Sequence, residues 1–312
     1  MAIRTDPPFD LVVVVDWSAN NGPKVGADSI WTCVLDTADG AATTVNHPTR
    51  HAARDHLIDV ALAAVGRRVL VGWDFPFGVP AGTAEAAQLP GDPPWRAVWQ
   101  HLDEHLVDGP DNRSNRFEVA AAINARIGPG PGPFWGVPPQ RATTPLSSCK
   151  APGYPHLSSR GTLAEHRVAE IAMRERSGKR PFPVWQLLGA GSVGSQALTG
   201  IPVVSALRRA DGLTDRSVVW PFETGLTLPA RHPLSGRTDL VIHAEIWPSS
   251  IDVDRTVHPV KDAAQVHCLA HHLAALDRSG ELAREFAPPL APQHAADVVR
   301  EEGWILGATL WP

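Results

Sequence analysis

Residues 68–80 read RVLVGWDFPFGVP. The run Val69, Leu70, Val71 has the composition of a fully buried strand. It ends in a carboxylate, Asp74, set among Trp73, Phe75, Pro76, Phe77 and Gly78. A charge in such surroundings is costly unless something pairs with it, and either a hydrogen-bonded turn or a metal ion would do so. DLVVVVDWS (10–18) repeats the pattern upstream, an apolar β-branched run that ends at Asp16. Between the two lie SIWTCVLD (29–36) and AATTVNH (41–47), joined by a TADG turn, and then TRHAARDHLIDVALAAVG (49–66). That last segment carries apolar residues at helical spacing and a glycine stop. The order is therefore a three-strand antiparallel meander with its first strand most buried, a helix and a fourth strand. Mixed strand and helix periods place the chain in the α/β or α+β class.

Residues 75–215 break the alternation. Helices are predicted at 94–107, 115–127 and 161–177, separated by the Pro- and Gly-rich stretches GPGPGPFWGVPP and KAPGYPHLSSRG. This block reads as an inserted cap. Strands at 217–223 and 239–248 follow, then a long helix over 260–280, a shorter one over 293–302 and the closing GWILGATL (303–310). The expected organisation is a core of residues 1–80 and 215–312 with a cap of residues 81–214.

The 312 residues are 43% hydrophobic and 20% charged, enough for a sizeable core. A net charge of −5 argues against a dedicated nucleic-acid binder, which is usually basic. Cys33, Cys149 and Cys268 form no C-x-x-C pair, so zinc ribbons and disulfide frameworks are unsupported. MAIRTDPPFD lacks the apolar core of a signal peptide, and no apolar run is long enough to span a bilayer. A soluble cytoplasmic protein is the expectation.

Four acids fall at element ends: Asp16, Asp74, Glu245 near the end of the last long strand, and Asp262 in the first turn of the late helix. Each has an ordinary alternative role as a turn residue or helix cap. Converging on one sheet edge, they would repel one another unless a hard cation such as Mg²⁺ or Mn²⁺ joined them. Such ions stabilise phosphoryl transfer.

This order of elements and acids resembles the ribonuclease H-like superfamily. More narrowly, it is similar to a family of unknown function described as predicted ribonuclease H-like nucleases. The matching pieces are VVVDWSA (13–19), GWDFPFGVP (72–80), AEIWPS (244–249), VKDAAQV (260–266) and EEGWILG (301–307). In the middle block NRFEVAAAIN (115–124), PFWGVP (133–138) and GAGSVGSQ (189–196) match a subgroup. The resemblance implies a mixed sheet of three antiparallel and then parallel strands, flanked by helices. It also implies divalent-metal-dependent phosphoester hydrolysis of nucleic acid or a nucleotide. Asp16, Asp74 and Asp262 would ligate Mg²⁺ or Mn²⁺, with Glu245 as a fourth ligand or base. Ser18, Lys24, Arg116, Arg141 and Lys261 would meet the substrate. An actin-like nucleotide-dependent phosphotransferase and a catalytically silent ligand-binding protein remain alternatives on the same fold. Trp17 stands where many members of the superfamily have a small Gly-rich turn.

Other signals compete. LLGAGSVG (187–194) spells G-x-G-x-x-G, but its preceding segment PVWQLL is short and no acid follows at the required distance. A structural or anion-cradling loop is expected there, without a nicotinamide or flavin. The stretch from Arg113 to Arg180 is locally basic, either a phosphate-binding cap or a solvated face with pairs such as Glu170–Arg174. His267 and His271 share a helical face without a third zinc ligand, and Ser18, Ser192 and Ser195 lack the G-x-S-x-G elbow of a serine hydrolase.

Overall fold

The computed structural model describes residues 8–150 and 153–308. The first seven residues of MAIRTDPPFD and the last two of GWILGATL lie outside them. Strands β1 (Leu11–Asp16), β2 (Ile30–Asp36) and β3 (Ala42–His47) form the antiparallel meander. Helix α1 (Arg50–Ala63), capped by the Thr49 hydroxyl, leads into β4 (Val69–Trp73), which pairs parallel to β1. Helices α2 (Thr83–Ala86), α3 (Pro94–His105) and α4 (Arg116–Ile127) follow. A separate hairpin of β5 (His156–Ser158) and β6 (Gly161–Leu163) precedes α5 (Val168–Ser177) and α6 (Gly194–Arg209). The chain then returns to the sheet as β7 (Ser217–Val219) and β8 (Val241–Glu245). It ends in α7 (Lys261–Ser279), α8 (Leu282–Glu285) and α9 (Pro292–Asp297), which runs into a π-helical turn over Val298–Glu302.

The six-stranded sheet has the order β3-β2-β1-β4-β8-β7, with β4, β8 and β7 parallel to β1. The fold is thus α/β with a mixed sheet, antiparallel on one side and parallel on the other. It is consistent with the ribonuclease H-like arrangement. The near-continuous apolar strands follow from burial on both faces. Val13, Val15, Val71 and Trp73 face a core shared with α1, α3 and α6, whereas Val12, Val14, Leu70 and Ile242 face a core built on α7 and Trp304. No helix among the described residues is long and apolar enough to cross a membrane.

The strand expected over 217–223 stops at Val219 and gives way to a turn. Differences within the middle block are larger. The predicted helix over 161–177 is split: Gly161–Leu163 pairs in the small hairpin, and α5 starts only at Val168, where the Glu170 carboxylate accepts both the amide and the guanidinium of Arg167. Glu170 therefore pairs with Arg167 rather than with Arg174. Helix α6 was not anticipated. Its apolar residues Ala197, Leu198, Ile201, Val204 and Leu207 recur at helical spacing, but Pro202 sits inside it and a Gly-rich loop precedes it. PVWQLL forms no strand of its own; Gln186 makes a single bridge to Trp135. The strand–loop–helix unit of a dinucleotide fold is absent at this loop.

Candidate active site at the ends of β1 and β4

Parallel register brings the first two acids together. Val15 lies opposite Trp73, so the next residue on each strand is an aspartate. The Asp74 amide donates to the Val15 carbonyl at 3.0 Å, which carries the pairing one residue further and sets the two side chains next to each other. The carboxyl groups of Asp16 and Asp74 are within hydrogen-bonding reach. Burial, the neighbouring carboxyl and Asp262 raise the Asp16 carboxyl well above its ordinary range, with Lys261 opposing. Burial chiefly pushes Asp74 up to about 7; Glu245 and Asp262 add to this, while the bond to Asp16 opposes it. Each carboxyl disfavours the ionised form of the other, so the half-buried pair binds a proton more readily than free carboxyls do.

The aromatic turn around Asp74 is core. Trp73, Phe75 and Phe77 are buried, and their rings run on through Trp99 and Trp95 to Phe222. Trp17 joins this chain against Trp73 and Phe75, 1% exposed, with its indole N–H on the Thr199 hydroxyl at 3.2 Å. Its bulk is directed into the protein interior. The remainder of GWDFPFGVP is explained by EEGWILG. A Cβ at Gly78 would lie 2.1 Å from the Glu301 carbonyl oxygen, so only glycine lets the two segments meet. Glu301 then accepts the Gly82 and Ala84 amides, and Glu302 accepts those of Ala81 and Val168.

The other two acids are engaged elsewhere. Glu245 is buried and bound by both terminal nitrogens of Arg167, at 2.6 and 2.8 Å, with the Phe77 amide at 3.1 Å. Arg167 also grips Glu170 and the Glu302 carbonyl. Burial still raises the Glu245 carboxyl, with Arg167 opposing. Asp262, on the first turn of α7, accepts the Asp28 amide at 2.6 Å. It lies close enough to raise both members of the pair. Among the described residues no three His, Cys, Asp or Glu side chains are arranged to hold a metal ion.

Asp16 and Asp262 open onto a cleft of about 500 Å³. Its far wall is the Gly-rich loop and the start of α6. Of the residues expected to meet substrate, Ser18 and Arg116 line this cleft. Ser18 is tied to the Asp28 carbonyl. Lys261 is exposed beside Asp16 and favours its charged form. Lys24 and Arg141 do not line the cleft; they pair with Asp28 and Glu118 respectively. Much of the cap's basic character is spent in the same way, as in Lys150–Glu165 and the Lys179 ammonium on the Ser249 and Ser250 carbonyls. Sequence reasoning missed Gln265, which lines the cleft one helical turn beyond Asp262. The i,i+3 spacing on α7 was the signal available. His267 and His271 sit side by side on the same helix, facing a different surface depression.

Comparison of the chain with known protein families, curated proteins and solved structures gave no match.

Proposed function

We propose that the protein is a divalent-metal-dependent phosphoester hydrolase, related to the predicted ribonuclease H-like nucleases that its motifs resemble. The observation that carries this reading is the Asp16–Asp74 pair, two adjoining carboxyls at parallel strand ends with no cationic partner bonded to either among the described residues. This donor set fits a hard cation. Mg²⁺ in particular is bound through one or two carboxylates and keeps several waters, so a third protein ligand is not required. Asp16 and Asp74 would hold the ion, and Asp262 would add negative charge nearby. A bound Mg²⁺ or Mn²⁺ would supply Lewis-acid stabilisation of charge on the phosphoryl group. Arg116 orients phosphate oxygens from across the cleft, and Lys261 raises the local potential. Glu245 has a positioning role instead, because its oxygens are committed to Arg167 and the Phe77 amide.

The test is hydrolysis of p-nitrophenyl phosphate and bis(p-nitrophenyl) phosphate in Mn²⁺. Turnover by the wild type that falls about 100-fold or more in Asp16→Asn and Asp74→Asn supports the reading. Absence of metal-dependent turnover of either ester overturns it. A second reading is a silent ligand-binding protein. It draws support from Glu245, which is paired with arginine, and from Asp262, which accepts a backbone amide.

A further inference from the structure

The wall of the cleft opposite Asp16 carries groups that the acid pair does not use. Helix α6 runs for 16 residues and begins at this wall. A Cβ at Gly194 would lie 2.2 Å from the Val184 carbonyl oxygen, so glycine fixes the helix start against the preceding segment. Val193 provides no side-chain cap. The Gly194 amide bonds to Gln186 and that of Ala197 to Val193, but the amides of Ser195 and Gln196 take no partner among the described residues. Unpaired amides at a helix N-terminus favour an anion.

Two further side chains converge there. Arg116 is 6% exposed and packs its guanidinium on the Phe117 ring. It donates only to neutral oxygens: Ser195 Oγ at 3.1 Å, Ser114 Oγ at 3.1 Å and Asn21 Oδ1 at 3.4 Å. No carboxylate among the described residues pairs with it, although a buried charge ordinarily acquires one. Burial and the cations Arg50 and Arg141 lower it to about 10 against the opposing pull of Asp108 and Glu118, neither within ion-pair distance, so it stays charged at neutral pH. Gln265 is 8% exposed, lines the same cleft from α7, and its side chain makes no hydrogen bond among the described residues. Its stem is buried while its amide reaches the cleft with no partner among those residues, so a ligand there can take its hydrogen bonds in place of water.

We propose that this wall is a phosphate subsite for a small phosphomonoester, with the terminal phosphate on Arg116 and the Ser195 and Gln196 amides and a polar group of the ligand on Gln265. The inference rests on the hydrolase reading of the acid pair and narrows its substrate. The cleft is of nucleotide size, within the usual range for small-molecule sites. Among the described residues Arg116 is its single cationic lining residue, against Asp16, Asp28 and Asp262. A polynucleotide needs a track of cations along its backbone, and this cleft offers one. In the reaction, water adds its oxygen to phosphorus and the bond to the alcohol oxygen breaks. That oxygen gains a proton, and inorganic phosphate and the alcohol leave.

The test is calorimetric titration of inorganic phosphate into the metal-free protein in EDTA at neutral pH. Wild type binds saturably. Arg116→Gln weakens binding roughly tenfold or more, and Gln265→Met weakens it also. Gln265→Met removes only an unbonded amide, so it decides the matter if Arg116→Gln melts early. No saturation by about 20 mM phosphate, or equal affinity in both variants, overturns the subsite. Phosphate binding lost in the variants, with no ester turnover in Mn²⁺, leaves the subsite standing and removes the hydrolase. Metal-dependent turnover that prefers the diester, with no phosphate binding, does the reverse.

Discussion

Asp74 shows how much one residue's environment decides. It sits one position beyond a parallel register that also delivers Asp16, and its carboxyl is held near neutrality by burial, Glu245 and Asp262. The linkage has a definite sign. A carboxyl whose folded pKa is raised binds its proton more tightly folded than unfolded, so stability falls as pH rises from about 4 through about 7. In EDTA, Asp74→Asn should therefore melt close to wild type at pH 5 and a few degrees above it at pH 8. A variant less stable than wild type at both pH values would mean that Asp74 is a structural hydrogen-bond acceptor. Asp16 and Asp74 were legible in the sequence because each ends an apolar run, and chain order made β1 and β4 neighbours. The commitment of Glu245 was not legible. Its partner Arg167 lies 78 residues away in the irregular middle block, and no local pattern announces a pairing across such a distance.

At the scale of elements, the end of β8, the start of α5 and the turn before Gly303 are tied by one guanidinium. Arg167 joins Glu170, Glu245 and the Glu302 carbonyl, and all three side chains are buried. Replacing such a group leaves uncompensated carboxylates inside the protein, which costs about 3–5 kcal/mol. Arg167→Met should lose stability of that order in urea, and adding Glu245→Gln to it should recover part of the loss. A change under about 1 kcal/mol in the single variant would show that the network is dispensable. The meander, α1, β4 and α7 were readable because strong apolar periodicity coincides with turn and cap residues. Helix α6 was obscured by Pro202 and by glycines that suggest a loop. The hairpin at 156–163 was obscured by its brevity, since three-residue strands carry no period.

At the scale of the whole molecule, the middle block is packed into the core. Trp95, Trp99, Phe134 and Leu198 belong to the same apolar cluster as Val13, Val71 and Trp73, so the wall carrying Arg116 and the α6 N-terminus is anchored to the sheet that carries the acids. This anchoring gives the cleft two fixed faces, one acidic and one suited to an anion. The sequence motifs marked both faces, but only the fold set them opposite each other. Calorimetric titration of Mn²⁺ into the metal-free protein tests the central claim most directly. Wild type and Glu245→Gln should bind Mn²⁺ saturably, and Asp74→Asn should not. No saturable binding by wild type, or undiminished binding by Asp74→Asn, would contradict it.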